Sequence, residues 1–389
     1  MKIGLVSLGC AKNRVDSELM LGLLRTHGYI ATDEPAEAEI LIVNSCGFIE
    51  QAKAESIDTL LKLAAYKQNG GCKALILAGC LGQRYSGDLL AELPEVDAIV
   101  GTGAWNRLPE AIEMALSGQR TVFTQGSAIL PAAEMPRILT TPSYMAYVKI
   151  AEGCNHACAF CAIPQIRGPL VSRTIESIRQ EVQQLVAGGV KEINLVAQDT
   201  TSYGIDLQGR PMLVELLKQL VEIDGDFRIR ILYSYPKNFS DELIDLMASQ
   251  EKICKYVDIP LQHVNDGMLQ AMRRPDRRKD IETLLVALRK AMPDVAVRTT
   301  FIVGLPGETD DMYEELRTFV TEKRLDHVGV FQYSPEENTP AAAFPDQVSE
   351  EVKEERYNDL MAVQAGISEE INIAAEGREY IALLEGHDA

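Results

Sequence analysis

Three cysteines, Cys154, Cys158 and Cys161, stand within eight residues of the stretch AEGCNHACAFCAIPQIRG, residues 151–168. Thiols crowded this tightly suit a disulfide fragment, a zinc site short of one ligand, or an iron–sulfur site short of one ligand. Three more, Cys10, Cys46 and Cys80, each follow an apolar run and stand beside a glycine, in GLVSLGC, LIVNSCG and LILAGCLG. Structural zinc usually takes four ligands in two separated pairs, and His156, lying between two of the cysteines, is awkwardly placed as a fourth. Three thiolates on one short loop can hold a compact inorganic core and leave one iron open to a substrate, as catalytic zinc keeps an open position. Cys72 and Cys254 come before their apolar runs. Cys72 lies about eight residues of ~3.3 Å, on the order of 25 Å, from Cys80, so both are expected to pack in the core.

The elements that must position these thiols form two α/β halves. In residues 1–130 the runs KIGLVSLG, AEILIVNS, CKALILAG and DAIVGTG alternate with helical patterns, one of which stops at Gly28. Continuous apolar runs between helices imply a doubly wound parallel sheet covered on both faces. If its strands are neighbours, Cys10, Cys46 and Cys80 share one edge. Residues 131–143, within a stretch of three prolines, read as a linker. Residues 144–345 carry six further runs, YMAYVKI, EINLVAQ, RIRILYS, YVDIPLQ, VAVRTTFIVG and HVGVFQYS, with helical patterns between them. Six such units fit a partial (βα)6 barrel of the TIM type. Cys154 then falls at the C-terminal end of its first strand, where such sheets bind ligands. A helical extension is expected over 346–375.

Composition is that of an ordinary globular protein, 46% hydrophobic and 24% charged over 389 residues, with no run long enough to cross a membrane. A short apolar start without a small-residue cleavage site reads as a strand rather than a signal peptide, which implies a reducing cytoplasm. There, eight cysteines argue for metal or redox chemistry over disulfides. The net charge of −19 repels phosphate backbones and favours basic partners.

On these residues the chain resembles the radical S-adenosylmethionine (SAM) methylthiotransferases. CNHACAFC on the first barrel loop is similar to the radical SAM signature, and the upstream domain with three strand-end cysteines narrows the resemblance to that family. Within it, IRGPLVSR (166–173), NLVAQDTTSYG (194–204) and PLQHVNDGML (260–269) resemble the RimO-type branch, which modifies an aspartate of the twelfth small-subunit ribosomal protein, rather than the branch acting on tRNA adenosine. The resemblance implies two 4Fe–4S clusters, one on Cys154, Cys158 and Cys161 with SAM on its free iron, and an auxiliary one on Cys10, Cys46 and Cys80. It further implies a 5′-deoxyadenosyl radical that takes a hydrogen from the aspartate β-carbon, sulfur delivery from the auxiliary cluster, and an electron donor such as a flavodoxin or ferredoxin. Gln198, Asp199, Arg298, Gly304 and Glu308, at or near strand ends, are candidates for SAM, and His263 marks substrate class or packs. A two-cluster electron or cluster carrier is the non-enzymatic alternative. Two departures stand out. Residues 376–389 read as the first strand of a truncated C-terminal β-barrel, and Asn338 stands where the family commonly has glycine.

Overall fold

The structure is a computed structural model and describes residues 1–126, 128–383 and 385. Its first half is a parallel sheet of β1 (Lys2–Ser7), β2 (Ile30–Ala31), β3 (Ile40–Ser45), β4 (Ala74–Gly79), β5 (Ala98–Val100) and β6 (Thr121–Phe123), in the order β2-β1-β3-β4-β5-β6. Helices α1 (Ala11–Thr26) and α4 (Leu108–Leu116) cover one face, and α2 (Glu50–Asn69) and α3 (Cys80–Glu92) the other. β3 and β4 are buried at every residue, which is why their sequences run apolar without alternation. β2 and β6 were not legible in the sequence, because two- and three-residue edge strands are too short to show a pattern. DAIVGTG gives only Ala98–Val100 to the sheet.

The second half has β7 (Met145–Lys149), β8 (Ala151–Glu152), β9 (Val171–Ser172), β10 (Glu192–Val196), β11 (Arg228–Ile231), β12 (Tyr256–Asp258), β13 (Ala296–Val303) and β14 (His327–Gln332). All six expected barrel strands form, and β8 and β9 add an antiparallel pair beside the cysteine loop. The six pair in parallel as two triples, β7-β10-β11 and β12-β13-β14. The seam is bridged by single bonds, Cys254 N–H to Ile229 O at 2.9 Å and Ser234 N–H to Asp258 O at 2.9 Å. Helices α5 (Ile163–Arg167), α6 (Ile175–Ala187), α7 (Ile205–Gln208), α8 (Leu213–Val221), α9 (Asp241–Ser249), α10 (Asp266–Ala271), α11 (Arg278–Ala291), α12 (Asp310–Lys323) and α13 (Glu350–Ala375) follow the strands. On β13, Val297, Thr299, Phe301 and Val303 are buried, so Arg298, Thr300 and Ile302 turn the other way, into the barrel.

Residues 131–143 are irregular, yet they are bound tightly to both halves. Arg137 pairs with Glu18 of α1 at 2.6 Å and with Glu181 of α6 at 2.5 Å. The expected extension is α13, capped by Ser349 and packed on the barrel through Arg356–Glu308 at 2.7 Å and Tyr313 Oη–Asp359 at 2.6 Å. The strand expected from 376 onward does not form in 376–383, which pair with no strand among the described residues; 384 and 386–389 lie outside the described residues.

Asn338 now has a physical account. Its φ is +61°, the left-handed region that glycine and asparagine adopt most easily, and its carbonyl accepts a 2.7 Å bond from Gln165. Asn338→Gly should change stability by under about 0.5 kcal/mol, whereas Asn338→Val should cost about 1–2 kcal/mol. Urea denaturation of the cluster-free protein measures both.

Candidate double thiol site at the domain boundary

β1, β3 and β4 are adjacent and parallel, so the cysteines that follow them reach one edge. Gly9 makes this possible: with φ +84°, it stands where a side chain would meet the Cys46 Cβ at 2.9 Å. Cys10 then leads into α1 and Cys80 opens α3. Each of the three thiols lies within electrostatic reach of the others. Cys80 is buried against Ala162 and Ile166, the segment directly after Cys161, so this triad faces the barrel mouth.

All eight cysteines are free thiols. Among the described residues no three His, Cys, Asp or Glu side chains converge tightly enough for a single ion. A cubane differs, because its thiolate ligands bind separate irons and stand farther apart. Soft thiol donors, three to a set and reaching one edge or one loop, fit that group.

Local electrostatics divide the first triad. Burial would raise the Cys10 thiol, but Lys12, Arg167 and the backbone N–H groups of Asn13 and Lys12 bring it below the ordinary thiol value. Cys10 is surrounded by protein atoms yet accessible, as a residue lining a cleft must be. Burial pushes Cys80 up to about 11, despite Arg167 beside it. In the cluster-free protein at neutral pH, Cys10 should therefore react with iodoacetamide at least ~10-fold faster than Cys80, because the thiolate is the nucleophile. Peptide mapping after timed quenching reads the order directly.

In the second triad burial raises all three thiols, Cys154 to about 11 and Cys161 to about 12. The loop is held by a stack. His156 Nε2 donates a 2.6 Å bond to Asp199 and its ring lies on the Tyr235 ring at 3.9 Å, and Arg274 covers that ring at 4.0 Å. Burial would raise the Asp199 carboxyl, but His156, Ser202 and Thr201 hold it below its usual range.

Between the triads lies a buried charge network. Lys149 at the end of β7 pairs with Asp16 of α1 and, at 2.6 Å, with Glu152. Arg167 reaches Asp16 at 2.7 Å, Glu152 at 3.0 Å and the Cys80 Sγ at 3.3 Å, and also bonds Asn13. Two cations and two anions balance here, so burial is sustainable. On the far side Arg84 pairs with Glu336 at 2.6 Å and Lys53 with the same carboxylate at 3.2 Å. The two clamps tie the halves together, Asp16 to Lys149 and Arg167, and Arg84 and Lys53 to Glu336.

The other expected site residues divide. Gln198 donates to Glu152, and its buried Oε1 has no partner among the described residues. Asp199 is occupied as described. Arg298 faces the lumen, 3.4 Å from Asp258. At Gly304 (φ +76°) the space of a side chain is filled by the Lys353 stem, 2.3 Å from the would-be Cβ, so internal packing already demands glycine. Glu308 is consumed by Gly304 N–H, His263 and Arg356. His263 is fully buried; its Nδ1 accepts from Asn265 N–H, so Nε2 carries the proton toward Glu308. It packs. Cys72 is in the core, and Cys254 is half-buried at the opposite mouth of the barrel, at the start of the seam.

Sequence reasoning missed Lys12, Asp16, Lys149 and Glu152. The available signal was Lys149, a charge inside the apolar run AYVKIA, where a strand buried on both faces tolerates only a paired one.

The chain matches the Radical SAM superfamily over residues 148–320 and the Uncharacterized protein family UPF0004 over residues 2–101. It is 50% identical over 385 residues to the ribosomal protein uS12 methylthiotransferase RimO of Heliobacterium modesticaldum, covering 99% of this chain and 84% of that one. With the protein of the same name from Geobacter sulfurreducens it shares 48% over 387 residues, covering 99% and 87%. Among solved structures it is similar to the radical S-adenosylmethionine methyltransferase TsrM of Kitasatospora setae. The TM-score is 0.64 at 14% identity, over 87% of this chain and 74% of that one, a likeness of fold alone.

Proposed function

Because this chain belongs to the RimO family of radical SAM methylthiotransferases, we propose that it adds a methylthio group to the β-carbon of an aspartate in uS12, the twelfth protein of the small ribosomal subunit. The observation that supports this best is the meeting of the two thiol triads, each built by its own domain, across the Cys80–Ala162–Arg167 contact. When bound, two 4Fe–4S clusters and SAM supply the electron, the radical and the methylthio group.

The protein's own part is ligation, orientation and exclusion of water. Cys154, Cys158 and Cys161 hold one cluster, and Cys10, Cys46 and Cys80 hold the auxiliary one. The neutral network of Asp16, Lys149, Glu152 and Arg167 lies buried between the triads, where it would help keep solvent from a reactive carbon centre. Gln198 and Arg298 retain hydrogen-bonding capacity for SAM; Asp199 and Glu308 act by fixing the loops around it, and Gly304 by its backbone. An acidic surface suits a basic ribosomal protein and a cytoplasmic reaction, with a flavodoxin or ferredoxin as donor. No helix among the described residues is long and apolar enough to cross a membrane.

The test is incubation of the reconstituted enzyme with SAM and dithionite, in parallel with uS12 and with tRNA. Mass spectrometry should find the methylthio group on one aspartate of uS12. Modification of tRNA alone would overturn the assignment.

A further inference from the structure

Among the described residues, buried lysines and arginines follow one rule with a single exception. Lys149, Arg167, Arg173, Arg274, Lys353 and Arg356 are all buried, and each has a carboxylate within ion-pair distance. Lys12 is also buried, at 9% exposure, and has neither an ion pair nor a side-chain hydrogen bond among the described residues. What it touches is a ring face: its Nζ lies 3.4 Å from the centroid of Tyr233. A cation–π contact offsets part of the desolvation of an ammonium, on the order of 1–2 kcal/mol, but does not replace a counter-ion.

The position of that ammonium is informative. Lys12 follows Cys10 by two residues at the start of α1 in the first domain. Tyr233 lies two residues beyond the end of β11 in the barrel and two residues before Tyr235, which stacks on His156 inside the cysteine loop. The contact therefore joins the two domains beside both triads. Asp258 feels Lys12 through space but lies beyond ion-pair distance, and takes Arg298 at 3.4 Å and the Tyr233 N–H at 3.3 Å instead. Tyr233 is held at φ +61°, a conformation that tyrosine seldom adopts and that aims this ring at the domain boundary.

We propose that Lys12 is a specificity-determining residue whose ammonium binds the carboxylate of the substrate side chain in the chamber between the two thiol triads. The inference rests on the aspartate reading above and deepens it. A buried, preoriented ammonium selects a side chain that brings its own negative charge, and rejects the isosteric amide because the cation would remain unpaired. The competing role for this lysine is to balance the negative charge of a cluster on Cys10, Cys46 and Cys80, which would show itself in cluster content rather than in substrate choice.

The experiment uses the reconstituted full chain and two forms of uS12, the natural protein and a form with asparagine at the modified aspartate. Affinity is measured by titration under anaerobic conditions, beside iron and sulfide content. Lys12→Met should keep the iron and sulfide of the parent, weaken binding of natural uS12 by about 10- to 100-fold, and change binding of the asparagine form by less than about two-fold. Lys12→Arg should recover most of the lost affinity, since the charge returns. Equal weakening toward both forms, or loss of about half the iron in Lys12→Met with recovery in Lys12→Arg, would overturn the proposal in favour of a docking or charge-balancing role. If the parent chain itself fails to modify uS12, the functional reading fails first, and that result is seen before any variant is made.

Discussion

On the proposed assignment, a Cys10→Ala, Cys46→Ala, Cys80→Ala variant is expected to retain about half the iron and sulfide of the parent and to lose methylthio transfer to background, because one of the two proposed cubanes would lose its protein ligands. The same count is expected for Cys154→Ala, Cys158→Ala, Cys161→Ala, but with SAM cleavage lost as well. The asymmetry follows from the fold. Cys10, Cys46 and Cys80 come from three strands of one sheet, while Cys154, Cys158 and Cys161 share a loop fixed by His156, Asp199 and Tyr235. Neither set borrows a ligand from the other, so each should load alone. Iron analysis and chromatography of 5′-deoxyadenosine decide it. Full iron in the first variant would mean that those thiols hold nothing.

The second large effect is on stability. Arg167→Met should destabilise the cluster-free protein by about 3–5 kcal/mol, the usual result of stripping one partner from a buried ion network. Its guanidinium serves Asp16, Glu152, Asn13 and Cys80 together, and methionine can satisfy none of them. Lys149 would then face two carboxylates alone. Arg84→Met, on the opposite clamp, should cost clearly less, because Lys53 still covers Glu336 at 3.2 Å. Thermal and urea unfolding of the two variants side by side provides the comparison. Equal losses would show that the Asp16–Arg167 bridge has no special weight in joining the halves.

Burial gives Arg167 a consequence beyond stability. It lies on the segment that leaves the Cys154–Cys161 loop, yet its Nη2 is 3.3 Å from Cys80 of the other triad. Any shift of that segment moves a charge beside the Cys80 sulfur. Hydrogen bonds to ligand sulfur are among the levers that set cluster potential, so on the proposed assignment Arg167 would link the two sites.

Much of this was legible in the sequence. Strand-end cysteines announced themselves because a parallel strand buried on both faces is a continuous apolar run, and the residue that follows must sit at the sheet's C-terminal edge. The six barrel strands were visible for the same reason. The edge strands β2 and β6 were hidden by their brevity, and the seam between β11 and β12 by the fact that hydrogen bonding between strands leaves no mark on either. A polar, glycine-rich strand end suggests a ligand-binding segment at Gly304 and Glu308, but only the tertiary structure shows the Lys353 stem packed on Gly304 and Arg356 paired with Glu308.

What the sequence determined by itself is local: which residues form strands and helices, and which thiols emerge at their ends, since both follow from side-chain periodicity along a single segment. What only the tertiary structure decided is pairwise. Asp16 meeting Lys149, Arg167 reaching Cys80, and Lys12 left with a tyrosine ring in place of a carboxylate all join residues more than fifty positions apart. Such pairings depend on how one domain is laid against another. A charged residue looks the same in a sequence whether it ends in water, in an ion pair, or over an aromatic ring at a domain boundary.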